Sequence, residues 1–270
     1  MPRLSIGVLG SCRVVLDDRV VSGAPSSLFR LASFVALSGQ KLAASRQRLG
    51  SVLWPDVDHS KAAANLRQAL SRSRHFQDSH GFVFLESNFS AVFIDNHSQV
   101  AFDLLSLLEL LASPSPQAAV DLCSVYTGEL LADLPDSGSE FEEWLAQQRE
   151  ILRNRCADRL SAAISPNSAL SEEARVICAQ KAIELDACNE EAYCCLMTHA
   201  AMHGNRSRFE ALYESCQRQL MRELGVRPSS NTQRVFADLV ARFEAPPTLP
   251  IQINRSGDLG PVFATHPPKS

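Results

Sequence analysis

Long apolar runs are missing from this sequence. No stretch of its 270 residues reaches the roughly 18 consecutive apolar residues of a membrane span. The opening MPRLSIGVLGSCRVVLDD has neither the apolar core nor the cleavage site of a signal peptide. A cytoplasmic protein with no membrane partner is expected. Paired cysteines are missing too. The eight cysteines, at 12, 123, 156, 178, 188, 194, 195 and 216, form no CxxC pair. Most sit at apolar helical positions and read as reduced core residues rather than a disulfide framework. Catalytic signatures are equally scarce. Gly7–Gly10 is too short for a phosphate cradle, and no GxGxxG, GxxxxGK[ST] or GxSxG occurs. The seven histidines are scattered. Neither an enzyme nor a cofactor is expected.

What is present is ordinary in amount and uneven in placement. A chain with 45% hydrophobic and 21% charged residues is long enough for two domains with real cores. Residues 1–98 hold 11 Lys/Arg against 7 Asp/Glu, net +4, whereas the remainder holds 15 against 23, net −8. A basic module joined to an acidic one implies that only the first meets a polyanion.

Residues 3–22 read as short strands, with turns at Gly10-Ser11 and Asp17-Asp18. Ser26 or Ser27 is placed to cap a helix starting near Leu28, with Leu28, Leu31, Phe34, Val35 and Leu37 as its buried stripe and Gly39 as its end. A short helix over Ser45–Trp54 follows, closed by Pro55-Asp56-Val57-Asp58. After the next, longer helix, GFVFLESNFSAVFID has the composition of a β-hairpin. From Ala101 onward the pattern is helical, in seven segments over 102–111, 116–126, 139–164, 171–185, 189–203, 207–224 and 230–243. Residues 172–205 outline a degenerate tetratricopeptide-like helix pair. The proline-rich end, 245–270, is expected to be irregular.

The stretch SKAAANLRQALSRSRHF, Ser60–Phe76, has two chemically different faces at 3.6 residues per turn. Ala62, Leu66, Ala69, Leu70 and Ser73 form one, small and apolar. Lys61, Asn65, Gln68 and Arg72 fall on the other, flanked by Arg67 and Arg74, with no acidic residue between Lys61 and Arg74. Such a face offers cations to phosphates and amides to base edges. A merely solvated amphipathic helix would look the same.

The motifs LWPD and NLRQALSRSR, followed by EFEEWLAQQREILR, KAIELDACNEEAY and RELGVRPSSNT, resemble the antibiotic-regulatory-protein (SARP) type of bacterial transcriptional activator over about residues 3–243. The resemblance implies a mainly α fold. An OmpR-like winged helix-turn-helix with a small β-sheet and wing hairpin (1–98) would precede an all-α, tetratricopeptide-like bacterial transcriptional activator domain (99–244). By position, Lys61, Asn65, Gln68, Ser71 and Arg72 would face bases in double-stranded DNA, and Arg67 and Arg74 would meet phosphate. Position 73 departs from the family, being Ser in place of a large apolar residue. The wing lacks the usual arginine, leaving Ser87, Asn88 and Ser90 as contacts, or simply as a solvated turn. Asp56 and Asp58 suit a basic RNA polymerase patch, although Asp58 can also cap the helix. Binding as a homodimer on repeated half-sites follows from the resemblance. A repressor, or an adaptor whose helical groove holds a protein, remains the alternative.

Cys195, His199 and His203 sit at i, i+4 and i+8, a spacing that can present three metal ligands. Small residues at such positions usually pack between helices. With the HExxH glutamate absent and no fourth ligand evident, no metal is expected.

Overall fold

A computed structural model describes residues 4–38, 41–95, 100–135 and 139–244. The expected helix end at Gly39 and the 245–270 tail lie outside those residues.

The chain begins as a meander of β1 (Leu4–Gly7), β2 (Arg13–Leu16) and β3 (Arg19–Val21). Asp17 and Asp18 both have positive φ, 48° and 63°, which matches the twist needed in a two-residue hairpin between β2 and β3. Helix α1 (Ser26–Leu37) buries Leu28, Leu31, Phe34 and Val35 as the periodicity requires. It starts at Ser26 behind Pro25, so neither Ser26 nor Ser27 caps it. The three-residue β4 (Ala43–Ser45) was not legible in the sequence. Helix α2 (Arg46–Leu53) is capped by Ser45, whose side chain accepts the Arg48 N–H at 3.2 Å. Helix α3 (His59–His80) follows, then β5 (Leu85–Ser87) and β6 (Ala91–Ile94). These two strands form the expected hairpin, and β4 joins it in the order β4-β6-β5.

Strand β7 (Val100–Phe102) corrects the reading of helix from Ala101. It runs parallel to β1, pairing Leu4 with Val100 and Ile6 with Phe102, and completes the sheet β3-β2-β1-β7. Partners so far apart in the chain leave no local signature. Among the described residues seven helices then follow: α4 (Asp103–Ala112), α5 (Gln117–Val125), α6 (Ser139–Ile164), α7 (Glu172–Leu185), α8 (Glu190–Met202), α9 (Arg206–Leu224) and α10 (Ser230–Glu244). Ser171, Asn189 and Asn205 cap α7, α8 and α9 through their side chains. Small residues let the helices approach: Cys178, Ala179 and Ala182 of α7 and Ala192 and Ala200 of α8 are buried.

The two regions share one apolar core. It runs from Leu4, Ile6 and Val14 through Phe34 to Leu104, Phe141 and Leu145. Phe34 and Trp144 meet at 4.9 Å between ring centroids. Asp103 at the start of α4 accepts the backbone N–H groups of Val8 and Leu9 at 2.9–3.0 Å. Burial pushes its carboxyl up while these bonds hold it down, and burial wins. All eight cysteines are free. Burial raises the Cys156 and Cys216 thiols to about 12, as inert core thiols require.

Candidate nucleic-acid interface

Helix α3 is defined at both ends by its sequence. The Asp58 side chain accepts the Lys61 N–H at 2.9 Å, and Gly81 closes the helix with φ 69°. Asp58 is therefore engaged as the cap. Asp56, in the preceding turn, is exposed.

One face of α3 buries Ala62, Leu66, Ala69, Ser73 and Phe76, with Leu70 half-buried. The serine at 73 is fully accommodated. Its Oγ donates to the Ala69 carbonyl at 3.0 Å and lies 3.4 Å from Ser27 Oγ of α1. A hydroxyl pair thus occupies the place where the resemblance implies a large apolar side chain.

Lys61, Gln68, Ser71, Arg72, Arg67 and Arg74 are all exposed, and Asn65 is half-buried. They do not form one stripe. At 100° per residue the outermost line of α3 carries Ala64, Ser71 and His75. Lys61, Asn65, Gln68 and Arg72 lie on one flank of that line. Arg67 and Arg74 lie on the other, facing the wing. There Arg67, Ser71 and Arg74 line a groove of about 460 Å³ with Arg46, Glu86 and Ser87. Arg46 and Arg67 also line a second groove, of about 540 Å³, with Gln47, His59, Ala63 and Phe89. Arg74 Nε lies 3.7 Å from Asp78, so its charge is partly matched already.

The wing turn organises itself. Asn88 Oδ1 accepts the N–H groups of Ser90 and Ala91, both at 2.9 Å, and the Ser90 hydroxyl at 3.2 Å. Arg46 grips the same turn from α2, its backbone N–H donating to the Ser90 carbonyl at 2.9 Å and Nη1 to the Asn88 carbonyl at 3.1 Å. These bonds occupy Oδ1 and the backbone carbonyl of Asn88. They leave Phe89 at the tip fully exposed (101%). Sequence reasoning missed Arg46, Gln47 and Phe89. The available signals were a basic residue directly behind the Ser45 cap and an aromatic inside a polar turn.

Trp54, at the end of α2, is half-buried and packs on the shared core. No described helix is long and apolar enough to cross a membrane.

Comparison with known proteins agrees with this architecture. Mycobacterium tuberculosis EmbR, solved in complex with a low affinity phosphopeptide, matches 90% of this chain at a TM-score of 0.56 and 17% identity. The match spans 66% of the EmbR chain. At that identity it supports the fold alone. No curated protein matches. Residues 109–240 match the model of the bacterial transcriptional activator domain. Residues 109–240, covering most of α4–α10, are thus a bacterial transcriptional activator domain, and the N-terminal winged-helix part fits the layout of a SARP-type regulator.

Proposed function

We propose that the chain is a sequence-specific, double-stranded-DNA-binding transcription regulator, acting as an activator. One observation carries this reading. From Lys61 to Arg74 the exposed side of α3 presents Lys61, Arg67, Gln68, Arg72 and Arg74 with no acidic residue in that stretch, beside a braced wing, Asp78 and Glu86 bordering only the wing side. A helix face of this kind places amides and cations where bases and phosphates lie in a major groove. In this reading Lys61, Asn65, Gln68 and Arg72 read bases. Arg67 and Arg74, joined by Arg46, neutralise backbone phosphates along the wing grooves. Ser71, on the outermost line, approaches the groove floor, and the wing meets the flanking backbone through its turn, Ser87, Asn88 and Ser90 included. Residues 1–98 form the DNA-binding module and 99–244 the activator domain, which holds two copies on repeated half-sites. Asp56 touches RNA polymerase; Asp56→Lys should then abolish activation with DNA binding intact, and unchanged activation removes that contact.

Selection and sequencing of genomic fragments bound by the purified protein, at two salt concentrations, tests the whole. A motif of spaced repeats, with affinity falling steeply as salt rises, is expected. No binding even at low salt overturns the reading and favours a helical adaptor.

A further inference from the structure

A second cluster lies in the helical region and plays no part in the proposed DNA contacts. His199 and His203 stand one turn apart at the end of α8, their ring centroids 4.3 Å apart. Glu172 is the first residue of α7, held there by the Ser171 cap, and its Oε1 lies 2.6 Å from His199 Nδ1 and 3.8 Å from His203 Nδ1. One ligating atom from each of the three residues lies within 4.8 Å of the others. His203 Nδ1 sits 2.9 Å from the carbonyl of His199, a bond that needs a proton on Nδ1 and leaves the Nε2 lone pair free.

We propose that Glu172, His199 and His203 bind a divalent transition-metal ion of the zinc class, with solvent completing the coordination. Two imidazoles and a carboxylate are the donor set of an open zinc-type site. The hydrogen bond that orients the His203 ring is of the kind that aims metal-binding histidines. Glu172 supplies the negative charge, and the side chains of Glu172 and His199 are each 27% exposed, that of His203 59%, so an ion can enter from solvent. On binding, the ion takes the place of the hydrogen bond between Glu172 and His199. The spacing of Cys195, His199 and His203 led to no expected metal, and the structure brings a different trio together. Burial pushes the Cys195 thiol up, which keeps it protonated and a poor ligand, and Glu172, 27 positions before His199, takes its place. Sequence spacing could not find this ligand because it comes from a neighbouring helix. Arg175 lines the adjoining groove of about 590 Å³, but Glu191 lines it as well and offsets that charge. A bound ion would tie the first turn of α7 to the last turn of α8.

Chelator-treated full-length protein titrated with Co²⁺ tests the site, with Zn²⁺ as competitor. One equivalent of Co²⁺ should give visible d–d bands that Zn²⁺ abolishes, and the metal should raise Tm. Both effects should be lost in His203→Ala and in Glu172→Gln, whose circular dichroism should match the parent. Absent bands overturn the proposal. So do bands that persist in both variants, or thiolate-to-cobalt charge-transfer absorption, either of which places the metal elsewhere.

Discussion

Gln77 and Leu85 exchange two hydrogen bonds. Gln77 Oε1 accepts the Leu85 N–H at 2.8 Å, and Nε2 donates to the Leu85 carbonyl at 3.0 Å. Oε1 also accepts the Phe84 N–H at 2.8 Å. Gln77 is only 4% exposed. A buried amide with both ends satisfied thus locks the last turns of α3 to the first strand of the wing. Gln77→Leu would leave these backbone groups unpaired, at a cost of about 1–3 kcal/mol. Chemical denaturation measures that loss. Fluorescence anisotropy on the selected operator should show weakened binding even where the variant is fully folded.

The two wing-side arginines should differ. Among the described residues no carboxylate forms an ion pair with Arg67, whereas Arg74 is 3.7 Å from Asp78. Arg67→Ala should lower affinity for all duplexes and reduce the slope of log K against log salt by about one. Arg74→Ala should change it less. Gln68→Ala should instead alter sequence preference. Equal losses on specific and random duplex would remove its base-reading role.

Phe89 makes a different test possible. A side chain fully exposed in the free protein contributes little to folding, so Phe89→Ala should leave Tm unchanged while weakening operator binding. Unaltered affinity would exclude the wing tip from the interface.

A close backbone crossing joins the sheet to the helical region. A Cβ on Gly128 would lie 2.7 Å from the Gly10 Cα. Gly10 has little freedom to yield, since its N–H donates to the Glu129 carbonyl at 2.9 Å and its φ is +88°. Gly128→Ala should destabilise by about 1–3 kcal/mol. Gly50→Ala is the control, because its Cβ would meet Ala62 alone, the side chain at 3.6 Å and the backbone carbon at 4.0 Å, both ordinary contacts. Thermal unfolding of the two variants should move in opposite directions or leave Gly50→Ala unchanged.

Acid should loosen the last helix. Partial burial works against the Glu190 charge, but hydrogen bonds from Thr232 and from the N–H and hydroxyl of Ser229 outweigh it and hold the carboxyl below its usual range. A carboxyl lowered in the folded state stabilises above its unfolded pKa, about 4.3, and that contribution fades as pH falls through the folded value. Glu190→Gln should lower Tm at neutral pH, and the difference from the parent should begin to narrow as pH falls below about 4.3. A gap that persists in acid would assign the effect to packing.

Much of this molecule was written in local sequence. The α3 periodicity separates Leu66 and Ala69 from Lys61 and Gln68, and the caps Ser45, Asp58, Ser171 and Asn189 mark helix starts, because such signals act over one or two turns. The motif order likewise carried the family. Contacts between distant segments were decided only in three dimensions. Strand β7 exists because Val100–Phe102 finds β1 across the chain. Asn88 Oδ1 is engaged by its own turn, with Phe89 at the tip. Glu172 reaches His199 because α7 packs on α8. Periodicity records which face of a segment is buried, but it holds no record of the distant partner that buries it.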